Sequence, residues 1–225
     1  MGYSFNFGVV ADNWDQLLTG AWLTLRITVV SIAIGLLLAA LGAYQLSYGR
    51  RWLRTIWQTY IEIVRNTPLL AQLFLIFFGL PAMGLRLDAN VAAVIALAFN
   101  FTAYAVDIMR AGIESVPRGQ IEASKALALT PIQTFLHVVL KPALAAVYPA
   151  LAAQCVLVLL GSAVISTISA DDLSSAAAVL QSATFRPFEV YLAVTAIYLV
   201  MAFGLQSALD LVGRRAFGWT RAGAR

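Results

Sequence analysis

Apolar residues in this 225-residue chain gather into long blocks instead of alternating with polar ones. Blocks over about 17–44, 56–80, 89–111, 143–165 and 187–211 each reach the length of ~20 residues that lets an α-helix cross a bilayer. The pattern predicts an all-α polytopic membrane protein with five transmembrane helices and a single domain over residues 1–225. Composition agrees: 61% of residues are hydrophobic and 12% charged, and the mean hydropathy is +0.82. A soluble domain carries about twice that charge.

The polar residues between the blocks fix an orientation. Segments 46–54, 109–142 and 212–225 hold three, four and four Lys or Arg. The N-terminus, the 80–89 loop and the 166–187 loop hold none, one and one. Positive charge stays on the cytoplasmic side. Five spans with the N-terminus outside and the C-terminus in the cytoplasm satisfy the alternation without exception. That topology accounts for the pI near 9.5 without nucleic acid as a partner. The first 20 residues contain no Lys or Arg and include Asp12 and Asp15, unlike a cleavable signal peptide. Cys155 stands inside an apolar run and reads as a buried, inert thiol.

Several polar residues lie within or beside the blocks. Asp12–Thr19 reads as an interfacial lead-in, and residues 48–54 as a basic loop. Gly35, Ala39 and Gly42 fit either a close helix contact or ordinary membrane composition. Glu62 and Arg65 stand at i, i+3, where they can pair. Pro68 lacks an N–H and biases Thr67 away from helix, so the second block breaks at Asn66-Thr67-Pro68. That break either lines a pathway or marks the cytoplasmic edge of the span. Asn100, Tyr104 and Asp107 recur at i, i+4, i+7 and give the third span a polar face. Asp107 is either a pathway residue or an ion-pair partner of Arg110. Gly79–Asp88 reads as a turn, Leu173–Leu180 as an amphipathic piece, and Pro187 as the first residue of the last span.

Residues 115–142 are the longest stretch between spans and are themselves helical in pattern. Arg118–Leu129 is rich in helix formers. Thr130, Pro131 and Gln133 match a capping box with proline at the first helical position. Ile132, Phe135, Leu136 and Val139 then form one apolar face. A short helix–turn–helix ending at Lys141-Pro142, in the cytoplasm, is expected to dock on the bundle with one face and on a partner with the other.

Four motifs carry a resemblance. Gly119 to Leu127 (GQIEASKAL) resembles the "EAA" loop of bacterial ABC importer permeases of the polar amino acid uptake type. Tyr60 to Leu70 (YIEIVRNTPLL) resembles that family's Y-x-E-x-x-R-G-T-P-L-L, and Ala103 to Arg110 (AYAVDIMR) its A-Y-x-x-E-I-x-R. Thr184 to Glu189 (TFRPFE) is similar to the start of its last span. The resemblance implies a multi-pass permease of the bacterial inner membrane with a periplasmic N-terminus. It also implies a cytoplasmic coupling helix between spans 3 and 4. The partners implied are a second permease subunit, two cytoplasmic ATPases that hold ATP and Mg, a periplasmic substrate-binding protein and membrane lipid. The implied ATPase-coupling residues are Gly119, Glu122, Ala123, Ala126 and Ala128. Candidate pathway residues are Asn66, Thr67, Asn100, Tyr104, Asp107 and Ser162.

This sequence departs from the family pattern at informative places. Ala128 replaces a glycine, so the turn is assigned to Thr130-Pro131. Asn66 replaces the glycine before Thr-Pro, Asp107 replaces a glutamate, and Lys141-Pro142 stands where the family has Pro-Gln. Leu160-Gly161-Ser162-Ala163-Val164 stands where the family has K-D-T-S-L. The missing charges point to one half of a heterodimer. No G-x-x-x-x-G-K-[ST] is present, so this chain is expected to hold no cofactor and to perform no ATP hydrolysis. The one histidine, His137, reads as a surface residue of the loop helix. Three readings stand: import of a polar amino acid, import of another small polar solute of opine type, and a non-transport scaffold. The broken second span and the polar third span favour transport.

Overall fold

The structure is a computed structural model and describes residues 4–218. The described residues are helical, with no strand among them. Arg221 and Arg225, used above for the orientation, lie outside them. In chain order the elements are α1 (Gly8–Asp12), α2 (Trp14–Tyr48), α3 (Arg51–Arg65), α4 (Leu69–Ala82) and α5 (Ala89–Glu114). They continue with α6 (Arg118–Ala126), α7 (Pro131–Ile168), α8 (Leu173–Thr184) and α9 (Pro187–Phe217). α2, α5, α7 and α9 are each long and apolar enough to cross a membrane. α3 and α4 together supply a fifth candidate, bent by 109° at the break between them.

Several boundaries differ from the sequence reading. Residues 14–19 are the first turns of α2 and not a separate lead-in. The basic segment is mostly helical: Arg50 is the N-cap of α3, and Arg51 and Arg54 lie within it. Lys141-Pro142 does not end a helix, since α7 runs unbroken from Pro131 to Ile168. Pro81 likewise stays helical. The reason is common to both prolines. A proline ring collides with the carbonyl four residues earlier and cannot donate to it. Here residues 77 and 138 fall inside short π-helical stretches, Leu75–Gly79 and Thr134–Val139. The wider π turn takes up the misfit without a break.

The chain forms two compact units, each built from three stretches of sequence. The first comprises, among the described residues, 4–32, 68–98 and 156–205. Its core joins Leu17, Leu159, Leu173, Leu180, Val190 and Val194. Gly20 is required there, because a Cβ would stand 2.9 Å from the Leu173 Cα. The second comprises, among the described residues, 33–67, 99–155 and 206–218. Its buried residues include Ala39, Val64, Phe101, Val106 and Val139. Of the two readings of the small residues in α2, close contact holds at Gly42. A Cβ there would meet Val106 at 2.7 Å and Trp57 at 2.8 Å. Cys155 is buried.

Candidate functional site

The break between α3 and α4 is closed by its own side chains. The last carbonyls of a helix have no intrahelical donor. Asn66 donates through Nδ2 to the Glu62 carbonyl at 2.8 Å, and Thr67 through its hydroxyl to that of Ile63 at 2.8 Å. Pro68, with φ −62° and ψ 140°, then opens α4 as its N-cap residue. Asn66 and Thr67 are thereby spent on ending a helix.

Arg65, the last residue of α3, crosses to α5. It pairs through Nη1 with Asp107 Oδ2 instead of with Glu62, the partner available at i−3. Its guanidinium also lies 5.5 Å from the centroid of the Tyr104 ring, a cation–π arrangement. Arg110 binds the other Asp107 oxygen through Nη2 at 3.0 Å and Glu114 through Nη1 at 2.7 Å. Both carboxylate oxygens of Asp107 are therefore occupied by arginines. The cluster borders a cavity of about 500 Å³ lined by Leu46, Gln58, Ile61, Glu62, Arg65, Asp107 and Arg110. Of the predicted pathway residues, the structure brings Tyr104 and Asp107 together on α5 around Arg65. Asn100 is half-buried one turn before Tyr104. Ser162 belongs to the first unit and is fully buried, donating to the Leu159 carbonyl at 2.7 Å.

The loop helix α6 is exposed over most of its surface, Arg118, Gln120 and Lys125 included. Gly119, Glu122, Ala123 and Ala126 are exposed at helical spacing, while Ser124 is buried on the opposite side. The Ser124 and Thr134 hydroxyls are 3.1 Å apart and tie α6 to α7. Residue 128 still makes the turn: Ala128 adopts φ 55° in the left-handed region. The Leu129 N–H donates to Ser124 O at 3.1 Å and the Ala128 N–H to Lys125 O at 2.9 Å, the pair of bonds that defines a Schellman motif. The turn is therefore shared between Ala128 and Thr130-Pro131, not carried by the latter alone. The capping box at Thr130 and Gln133 is present. Of the predicted apolar face, Val139 is buried and Phe135 packs edge-on against Tyr44 and Tyr48, whereas Ile132 and Leu136 are exposed. His137 is exposed, with Nδ1 3.0 Å from the Gln133 carbonyl.

A polar cluster in the first unit was not singled out by the sequence. Asp172 caps α8 by accepting from the Ser175 N–H at 2.7 Å. The Thr24 hydroxyl of α2 accepts from the Leu173 N–H at 3.0 Å. Burial pushes the Asp172 carboxyl above its usual range, against hydrogen bonds from Ser175, Ser174 and Tyr198 that lower it. The one advance signal was an Asp followed by an apolar, amphipathic stretch, the start of a capped helix.

The family model described as "Binding-protein-dependent transport system inner membrane component" matches residues 31–218. The chain belongs to that family. It is similar to the probable glutamine ABC transporter permease protein GlnM of Bacillus subtilis, at 32% identity over 93% of this chain and 97% of that protein. It is also similar to the octopine transport system permease protein OccM of Rhizobium meliloti, at 38% identity over 85% of this chain and 82% of that protein. Among solved structures, an amino acid ABC transporter with histidines matches with a TM-score of 0.86 and 35% identity. That match covers 95% of this chain and 100% of the other. As a member of this family the chain is a polytopic permease subunit and not an enzyme. ATP hydrolysis belongs to a separate subunit, and such a permease works with an ATPase and a substrate-binding protein.

Proposed function

We propose that this permease imports a polar amino acid across the bacterial inner membrane by alternating access. The observation that carries the reading is the full-length likeness to the solved amino acid ABC transporter. The glutamine and L-cystine permeases among its relatives point to the same substrate class. The chain acts as a single transmembrane domain with a periplasmic N-terminus and a cytoplasmic C-terminus, the orientation favoured by its Lys and Arg distribution. α6 is the coupling helix. Its stripe of Gly119, Glu122, Ala123 and Ala126 faces an ATPase, and Ala128 sets the angle at which the helix leaves for α7. ATP and Mg sit on two ATPase subunits, and closure of these subunits moves α6. The second permease subunit is a different chain that supplies the charges missing around Ser162. The pathway runs past Asn66, Thr67, Asn100, Tyr104 and Asp107.

The test is ATP-dependent uptake of labelled glutamine, cystine, arginine and octopine into proteoliposomes that contain the co-expressed complex. Uptake of an amino acid, lost on Glu122→Arg, supports both the substrate class and the coupling helix. Uptake of octopine alone moves the substrate to the opines. An assembled, ATP-hydrolysing complex that imports none of the four overturns the amino acid reading. Activity of a complex containing this chain as the sole permease overturns the heterodimer.

A further inference from the structure

We propose that the cavity beside Arg65 and Glu62 is a binding site for a free α-amino acid, its carboxylate on Arg65 and its ammonium on Glu62. The inference rests on the importer reading above and names the recognition chemistry of its pathway.

The argument is a count of charges and of hydrogen-bonding capacity. α3 and α5 present the same acid-then-base spacing to the cavity, Glu62 with Arg65 and Asp107 with Arg110. The lining thus carries two carboxylates and two guanidiniums and is formally neutral. A neutral lining of opposed charges disfavours an ion and suits a zwitterion. The four groups are not equally committed. Asp107 is engaged at both oxygens, one on each arginine, so its charge is already balanced by fixed cations. Arg110 is divided between Asp107 and Glu114. Arg65 contributes Nη1 to Asp107. A guanidinium has five N–H donors in a planar fork, so the edge formed by Nη2 and Nε keeps its donors. Two parallel N–H groups match a carboxylate bidentately. Glu62 is exposed, and its carboxylate has no ion-pair partner among the described residues.

The two groups with capacity left, the free edge of Arg65 and the carboxylate of Glu62, therefore have opposite sign, and they stand at i, i+3 on one helix. Side chains three apart have Cβ atoms about 5–6 Å apart. An α-amino acid carries its ammonium and carboxylate on a single carbon, so its counter-charges must also be close. One helical turn meets that requirement; it does not suit a ligand whose charges lie at the two ends of a long chain. The Tyr104 ring and Asp107 fix the guanidinium before any ligand arrives, and pre-set donors lose less entropy on binding. The cavity of about 500 Å³ falls within the usual range for small-molecule sites.

The experiment uses the whole permease–ATPase complex in nanodiscs, without binding protein or ATP. The probe is whichever of the labelled compounds glutamine, cystine and arginine the wild-type complex imports. Wild type is expected to bind it saturably. The unlabelled compound should compete, but its α-N-acetyl and α-carboxamide derivatives should not. Glu62→Gln should weaken binding by roughly tenfold or more, the loss expected for a charged hydrogen bond, and should remove discrimination against the N-acetyl derivative. Glu62 has no ion-pair partner to disrupt, and co-purification of the ATPase checks that the variant assembles. Arg65→Lys keeps the charge without the fork, and should lose discrimination against the carboxamide. Import by wild type with no saturable binding overturns the proposal, as does unchanged affinity and selectivity in Glu62→Gln. Absence of import of all three by wild type overturns the importer reading instead.

Discussion

Two proline-containing segments of this chain meet the same problem and solve it in opposite ways. At Pro68 the helix stops and the chain bends by 109° into α4. At Pro142 the helix passes through, and α7 continues to Ile168. Each proline withholds one N–H from the preceding turn. The difference lies in what stands just before it. Asn66 and Thr67 have short polar side chains that reach back to the Glu62 and Ile63 carbonyls at 2.8 Å. They replace the missing backbone donors and make an end stable. Before Pro142 stand Leu140 and Lys141 in place of a short self-capping pair, and the segment widens into π helix across Thr134–Val139. A proline alone therefore does not specify a break in this chain; a proline preceded by self-capping residues does.

Pro68→Ala should have the largest effect on this comparison. It returns an N–H to the break and removes the restriction on Thr67, so that α3 can propagate. Arg65 then leaves Asp107, and uptake should fall by roughly tenfold or more, as for a hinge position that alters both rate and affinity. Uptake by the assembled complex measures it. Near-wild-type uptake would mean that Asn66 and Thr67 hold the end without the proline.

Thr130→Ala tests the opposite kind of helix terminus, the start of α7. It removes the side-chain acceptor of the Gln133 N–H and half of the capping box. A lost N-cap costs about 1 kcal/mol. The apparent Tm of the purified complex should fall by about 2–4 °C. Uptake should fall less than in Pro68→Ala, since α7 is anchored again where the Ser124 hydroxyl meets that of Thr134.

The sequence made the long apolar helices, the break at residues 66–68 and the capping box legible, because each is a local pattern. What it hid was set by contacts between distant residues. Glu62 and Arg65 have ideal spacing to pair, yet Asp107, 42 residues away, takes the arginine. Asp172 caps α8 through the Ser175 N–H and is buried beside Tyr198, 26 residues away, which the local sequence does not reveal. Lys141-Pro142 read as a stop because π-helical turns leave no signature in hydrophobic periodicity. The left-handed turn was missed at Ala128 because an alanine does not announce a positive φ as glycine does.

Ala128→Gly follows from that last point and has the opposite sign to Thr130→Ala. Alanine at φ 55° is strained, and glycine is not. Glycine also widens the unfolded ensemble, which offsets part of the gain. The net stabilisation should be somewhat under about 1 kcal/mol, read as a small rise in the apparent Tm. An unchanged or lower Tm would show that the Schellman bonds from Leu129 and Ala128 hold the turn without measurable strain.

Pro142→Ala should have the smallest effect and decides whether the comparison is about function or only about geometry. Alanine restores a donor to the turn that Pro142 leaves short, so the widened stretch 134–139 can tighten toward α-helix. The added N–H stabilises the folded chain, while the loss of proline's rigidity stabilises the unfolded one, and the two nearly cancel. Tightening the stretch would, however, rotate Phe135 relative to Tyr44 and Tyr48, against which it packs with ring centroids 5.0 and 5.7 Å away. If the π turn merely accommodates the proline, uptake and ATPase coupling stay within about twofold of wild type, a difference of roughly 0.4 kcal/mol. If uptake falls as far as in Pro68→Ala, the widened turn is itself part of the lever between α6 and the membrane. The two prolines would then be two working joints, one bent and one straight.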